Sequence, residues 1–86
     1  MSNYTIRFIR SARKELEALP NVLVVRIFKK IEALGSDPRP AGCKKLKGSP
    51  NLWRVRVGDY RIVYSILDKE LVVEIITVRN RKDAYD

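Results

Sequence analysis

Apolar and polar residues alternate along four segments of the chain, one near the start and three in the second half. Residues 4–10 place Tyr4, Ile6 and Phe8 on one side and mainly polar side chains on the other. Successive side chains of a β-strand point to opposite faces, so this period of two predicts a half-buried first strand.

Residues 11–35 change to a helical period, with apolar side chains three or four positions apart. Ser11 is predicted to cap a first helix, which Pro20 ends. Asn21 is predicted to cap a second helix, with Gly35 as its left-handed C-terminal residue. The two apolar faces are Ala12, Leu16 and Leu19, then Val24, Ile27, Phe28, Ile31 and Leu34. So short a connection predicts a helical hairpin.

The next fifteen residues, 36–50, contain three of the four prolines and two of the four glycines, and are predicted to be mostly loop. The three strands that follow are Leu52–Val57, Tyr60–Leu67 and Glu70–Val78, with turns at Gly58-Asp59 and Asp68-Lys69. The side chains predicted to face the core are Trp53, Val55, Val57, Tyr60, Ile62, Tyr64 and Ile66.

The order of elements, β-α-α-β-β-β, predicts one α+β domain over residues 1–86. Its antiparallel sheet is expected to be covered on the apolar face by the helical hairpin. By alternation, the opposite face of the sheet carries Arg54, Arg56 and Arg61.

Charge is the unusual feature of the composition: 18 Lys and Arg against 10 Asp and Glu give a net charge of +8. The excess is concentrated in residues 39–65, where seven basic residues accompany a single acid, Asp59. Such a cluster indicates an anionic partner, with nucleic acid favoured over a charge that serves only solubility.

The three arginines of the sheet are the strongest candidates for a binding site. Like charges facing each other across strands are destabilising, and a bidentately bound phosphate would relieve the repulsion. Two such arginines fit a solvated outer face better than a site, whereas three favour a phosphate ligand. Three neighbouring lysines strengthen that interpretation: Lys44, Lys45 and Lys47.

Several chemistries are not expected. The chain has one cysteine, Cys43, and no histidine, so we expect no disulfide, metal site, cofactor or imidazole base. A lone thiol fits a reducing cytoplasm. No apolar run is long enough for a membrane span, and the first residues do not read as a signal peptide.

The sequence resembles the RelE/ParE superfamily of toxins from type II toxin–antitoxin systems over essentially its whole length. The segments that carry the resemblance are Tyr4–Phe8, Ala12–Pro20, Lys45–Gly48, the most specific stretch Leu52–Tyr64, and Val78–Tyr85. The resemblance implies a fold like that of a small microbial ribonuclease. In its RelE branch it implies an enzyme that cleaves mRNA in the ribosomal A site without a metal. The ParE branch instead implies a non-enzymatic poison of DNA gyrase, and a degenerate RNA-binding homologue is a third reading.

The RelE pattern assigns catalytic roles to Arg54, Arg56, Arg61, Arg81 and Tyr85, and RNA binding to Lys44, Lys45 and Lys47. Well-known RelE enzymes have lysines at the first two positions, and related toxins often have histidine where this chain has Asn80. Arginine is a poor general base because its pKa exceeds about 12. Either Tyr85 accepts the 2′-hydroxyl proton, or the arginines act by electrostatic stabilisation of the phosphorane.

Two further expectations follow. Substitution of Arg61, Arg81 or Tyr85 should affect activity more than stability, since none falls on the predicted core face. The resemblance also implies a small antitoxin, which should be acidic to complement the basic cluster. Its tail is expected to wrap the toxin, using the sheet edge and the helical hairpin, and either to cover Arg54, Arg56 and Arg61 or to displace residues 81–85.

Overall fold

The computed structural model describes residues 3–83. Its elements are β1 (Thr5–Phe8), α1 (Arg10–Glu17), α2 (Asn21–Ala33), β2 (Lys44–Lys45), β3 (Leu52–Val57), β4 (Tyr60–Leu67), β5 (Val72–Asn80) and a 3₁₀ turn at Arg81–Asp83. The α+β class and the order of the long elements are as predicted. The short strand β2 is an addition, since it lies in a segment predicted to be loop. No helix in the described range has the length and apolar character needed to cross a membrane.

The five strands form one sheet in the order β1-β5-β4-β3-β2. The strands β3, β4 and β5 are antiparallel neighbours, as predicted, and the additional strand β2 pairs antiparallel with β3, but β1 pairs with β5 in parallel. The sheet is therefore mixed, and the prediction of a wholly antiparallel sheet was wrong. Alternation in a four-residue strand identifies its buried face but does not encode its direction, which depends on how the helical hairpin returns the chain.

The core lies between one face of the sheet and the helical hairpin. Its buried members include Ala12 and Leu16 of α1, Ile27 and Ile31 of α2, and seven side chains of β3, β4 and β5: Val55, Ile62, Tyr64, Ile66, Val73, Ile75 and Val78. The predicted core faces of the strands are confirmed. Phe28 was assigned wrongly to the core, because it is 45% exposed on α2.

The helix termini differ from the prediction. Neither Ser11 nor Asn21 is a cap: both lie inside their helices, and Ile9 and Pro20 hold the N-cap positions without side-chain hydrogen bonds. Gly35 is not left-handed either. Its role is close packing, since a Cβ atom there would lie 3.0 Å from the Tyr4 carbonyl oxygen, whose residue donates its N–H to the Gly35 oxygen at 2.7 Å.

The connections between the long strands set their registers. The Gly58-Asp59 turn is confirmed, with Gly58 at φ +59° and Val57 opposite Tyr60. The next connection is longer than predicted, and the last strand begins at Val72 instead of Glu70. A register shift between Val63 and Tyr64 then moves the inward positions of β5 from odd to even numbers, which keeps both halves of this strand packed on the core.

Candidate nucleic-acid interface

Five basic residues form a patch on the sheet face opposite the core. Arg56 lies directly opposite Arg61, and Arg61 lies directly opposite Arg79, so one row of arginines crosses β3, β4 and β5. In the neighbouring row on the same face, Arg54 lies opposite Lys44 of β2. We call these residues the cationic face. Adjacent strands are about 4.8 Å apart, so the backbones of the three arginines of the row lie within a short distance of one another.

Burial differs strongly along the cationic face. Arg54 and Arg61 are 7% and 6% exposed, while Arg56 and Arg79 are exposed. The expectation that Arg61 tolerates substitution as a surface residue does was therefore wrong, and Arg54 on the same face is buried as well. Arginine can bury its aliphatic stem against neighbouring strands, which alternation alone does not show. Buried guanidinium groups have fixed positions, whereas Arg56 can adjust to a ligand.

The closing segment extends the face beyond β5. The Arg81 N–H donates to the Asp59 carbonyl at 2.7 Å, which continues the β4–β5 ladder past its last pair. Arg81 is exposed beside the β3–β4 turn, at the same end of the sheet as Arg61. Tyr85, the other predicted catalytic residue of this segment, lies outside the described residues.

Arg79 joins the row although the sequence analysis placed it outside the strands. The predicted last strand ended at Val78, but β5 continues to Asn80. Glu15 of α1 explains the extension: its carboxylate accepts the Val78 N–H at 3.0 Å and the Arg79 Nε–H at 2.7 Å. The helix thus supplies a hydrogen-bond acceptor for the backbone of β5 at positions that β1 does not pair with.

The predicted RNA-binding lysines are divided by the sheet. Lys44 lies opposite Arg54 and so belongs to the cationic face, but Lys45 lies opposite Trp53 on the other face. The Lys45 ammonium lies 5.8 Å from the centre of the indole ring. Lys47 is exposed in the connection to β3. Lysines on an edge strand also discourage pairing with another chain, so this placement by itself does not identify a site.

Two adjoining clefts lie where β2 ends and the edge of β3 becomes open. The first, of about 250 Å³, is lined by Lys30, Ala41, Gly42, Lys44, Arg54, Val55 and Arg56. The second, of about 290 Å³, is lined by Lys44, Lys45, Leu46, Lys47 and Arg54. Sequence reasoning missed Lys30. The available signal was its spacing, three residues after Ile27 and four before Leu34, which places it beside the buried face of α2.

The loop before β2 is fixed by an aromatic and ionic network. Arg39 donates to Asp68 at 3.1 Å and also lies 5.1 Å from the centre of the Trp53 ring. Tyr4 donates to the other oxygen of Asp68 at 2.6 Å. Beneath them, the buried Tyr64 hydroxyl donates to the Pro38 carbonyl at 2.7 Å. These contacts hold the loop that leads to Gly42 and Lys44 of the first cleft.

Asp68 supplies a pH-dependent part of this network. The hydrogen bond from Tyr4, followed by that from Arg39, holds the pKa of the Asp68 carboxyl below its usual value of about 4. Such a group stabilises the fold above its unfolded pKa, and the contribution is lost as the pH falls through the lower folded pKa. We therefore expect the stability difference between the parent and Asp68→Asn to shrink as the pH falls below about 4. Urea unfolding at each pH measures it, and a constant difference would contradict the assignment.

The described residues contain no group of three or more potential metal ligands. What they present instead is a set of fixed and mobile guanidinium groups, with ammonium groups along one edge. Such an arrangement can bind phosphates bidentately and stabilise negative charge that develops on them. The fold and this face are those of a small α+β protein with a concentration of basic residues on one side of its sheet.

The chain belongs to the RelE/ParE superfamily of type II toxins, as the sequence indicated. Residues 6–85 match the family described as the ParE toxin of the type II toxin-antitoxin system, parDE. The chain is 30% identical to the mRNA interferase toxin RelE of Escherichia coli K12, over 95% of this chain and 90% of that one.

Solved structures agree on the fold. The toxin–antitoxin complex RelBE2 of Mycobacterium tuberculosis contains a chain that superposes with a TM-score of 0.84 at 30% identity, covering 96% of this chain and 97% of the other. A chain of the archaeal RelE–RelB complex of Pyrococcus horikoshii superposes with a TM-score of 0.82 at 30% identity, covering 95% and 99%.

Proposed function

We propose that this toxin is a ribosome-dependent endoribonuclease that cleaves mRNA in the A site and so inhibits translation. The observation that carries the proposal is the pair Arg56–Arg61 with Arg81 at its end, which places cationic side chains on one face of the sheet. The name of the E. coli relative, an mRNA interferase, supports RNA as the substrate.

In the proposed reaction the ribose 2′-oxygen attacks the adjacent phosphorus, and the bond to the 5′-oxygen of the next nucleotide breaks. The leaving 5′-oxygen takes a proton from water. The products are a 2′,3′-cyclic phosphate and a 5′-hydroxyl. Negative charge grows on the non-bridging oxygens of the phosphorane, where guanidinium groups can donate bidentately. Arg61, being buried, is already oriented and needs no reorganisation, while Arg56 and Arg81 contact the phosphate from the exposed side.

The catalytic groups of the described face are cations and cannot take the 2′-hydroxyl proton at neutral pH. Tyr85 is one candidate acceptor, with the proton otherwise passing to water as the arginines lower the pKa of the 2′-hydroxyl. In either case the ribosome must hold the message in line for attack, a contribution that proximity makes large. This accounts for dependence on the ribosome.

The alternative is a non-enzymatic gyrase poison, which the match to the ParE family specifically favours. Primer extension on a translated message after induction separates the two. Cuts within codons are the expected result. Intact messages together with gyrase-linked DNA breaks would establish the alternative and reject the nuclease.

We propose a small acidic antitoxin as the cognate partner, by analogy with the RelBE complexes. An apolar groove of about 450 Å³ suits an amphipathic helix: it runs between β1, α1 and α2 and is lined by Ile6, Phe8, Arg13, Leu16, Glu17 and Phe28. Val22 and Val25 are 74% and 53% exposed on α2, which extends the apolar surface. Acidic residues of the same partner would then cover the cationic face.

Co-expression with the neighbouring small reading frame tests the partnership. We expect relief of growth arrest and a soluble complex that weakens at high salt, because opposite charges drive the association. A chain that expresses without slowing growth, and that binds neither neighbouring frame, would reject both the partner and the toxin activity.

A further inference from the structure

The first cleft is built differently from the cationic face that it adjoins. It lies over the open edge of β3 and receives side chains from both layers of the fold: Lys30 from α2, and Lys44, Arg54 and Arg56 from the sheet. Four of its seven lining residues are cationic and none is acidic. Its volume of about 250 Å³ is below the range of pockets for drug-sized ligands, roughly 300–1,000 Å³, and so fits one compact anionic group.

Lys30 is held in place at this cleft by the helix that carries it. Its neighbours on the same side of α2, Ile27 and Ile31, are 0% exposed in the core, so the backbone there is fixed. Lys30 itself is half-buried, whereas Lys29 is exposed. Within the part of the chain that the structure describes, no carboxylate forms an ion pair with Lys30. An ammonium group whose position is fixed before binding loses less side-chain entropy when it binds an anion than a freely moving one does.

The two clefts form one path. Both are lined by Lys44 and Arg54, and the first also contains Arg56, which belongs to the row proposed to hold the scissile phosphate. A chain of phosphates lying on the cationic face can therefore turn over the edge of β3 and continue toward α2. The cationic face alone would position a single phosphate. A second contact in the cleft would also fix the direction in which the RNA strand runs.

We propose that the cleft binds a second RNA phosphate, away from the scissile one, and that Lys30 is a positioning residue for it. The identity of the ligand as RNA rests on the proposed function, while the anion site itself does not. The phosphate can belong to the message or to ribosomal RNA, which share the same chemistry. A carboxylate of the antitoxin is the competing occupant.

The test is the salt dependence of binding to a single-stranded, 2′-O-methylated oligoribonucleotide, which cannot be cleaved because its 2′-oxygens are blocked. Each phosphate contact contributes about 0.7 to the slope of log K against log salt for single strands. Lys30→Ala should lower that slope by about 0.7. Lys29→Ala is the matched control, with the same charge loss one residue away, and should leave it unchanged. Lys30→Arg should restore the slope, and thermal melting should be alike for all three.

Binding to vacant ribosomes identifies the source of the phosphate. If Lys30→Ala weakens binding to the oligonucleotide, the phosphate in the cleft belongs to the message. If Lys30→Ala weakens only binding to the ribosome, the phosphate belongs to ribosomal RNA. Either result supports the site. Equal slopes for Lys30→Ala and Lys29→Ala in both assays would overturn the proposal. So would a Lys30→Ala variant that weakens only the binding of the antitoxin. A protein that binds RNA through Lys30 without cutting messages would refute the nuclease and leave this inference standing.

Discussion

Replacing Arg56 with alanine should lower mRNA cleavage by about two to three orders of magnitude without unfolding the protein. Arg56 is exposed on the cationic face, opposite Arg61, and also lines the first cleft. Loss of one donor to a developing oxyanion commonly costs about 10²–10³-fold in rate. Because removal also relieves repulsion between opposing arginines, the Tm should stay within a few degrees of the parent value or rise slightly.

Arg61 is the informative comparison, since the same substitution falls on a buried residue of the same pair. Arg61→Ala removes a side chain that is only 6% exposed. It should lower the free energy of unfolding by about 1–3 kcal/mol and should also lower mRNA cleavage. For a domain of this size each kcal/mol corresponds to a shift of roughly 4–8 °C in Tm. The burial of Arg61 thus changes the expectation drawn from the sequence, that its substitution would affect activity more than stability.

A matched control separates the catalytic effect of Arg56 from the effect of removing one positive charge. Lys69 lies in the turn between β4 and β5, at the opposite end of the sheet from Arg56, and is exposed. Lys69→Ala removes the same charge and should retain cleavage. Single-turnover cleavage of a ribosome-bound message and thermal melting measure the two effects. If Arg56→Ala cuts as fast as Lys69→Ala, Arg56 has no part in catalysis.

Tyr64→Ala should lower the free energy of unfolding by about 3–5 kcal/mol. Tyr64 is 0% exposed at the centre of β4 and is the largest fully buried side chain described. Removal of a buried aromatic side chain costs about 3–5 kcal/mol, against a total stability of roughly 4–13 kcal/mol for 86 residues. Circular dichroism and urea titration measure the loss.

Tyr64→Phe isolates the hydroxyl from the ring. Burial raises the pKa of the Tyr64 phenol well above its usual range, so the group stays protonated and donates to the Pro38 carbonyl at physiological pH. Its loss leaves a buried carbonyl without that donor and should cost about 1–3 kcal/mol. The loop that leads to Lys44 should loosen with it, which faster amide exchange at residues 39–43 would reveal. Equal stability of Tyr64→Phe and the parent would show that the hydrogen bond contributes nothing.

The local elements of this protein were predictable because their signals are local. The alternation in β3 and β4 identified the inward side chains correctly, and Gly58-Asp59 identified the turn that places Arg56 opposite Arg61. Periodicity in α1 and α2 identified the buried faces apart from Phe28. In each case the pattern reports which side of an element leaves water, and hydrophobic burial alone determines that.

What required the tertiary structure was every feature that depends on which elements meet. The parallel pairing of β1 with β5, the capping of the β5 edge by Glu15 and the burial of Arg54 are examples. Lys30 reaches the cleft at β3 only because α2 packs across the sheet at that edge. Sequence patterns record the polarity of each side chain, but long-range partners are selected by packing and by the hydrogen-bonding needs of strand edges, which no local period encodes.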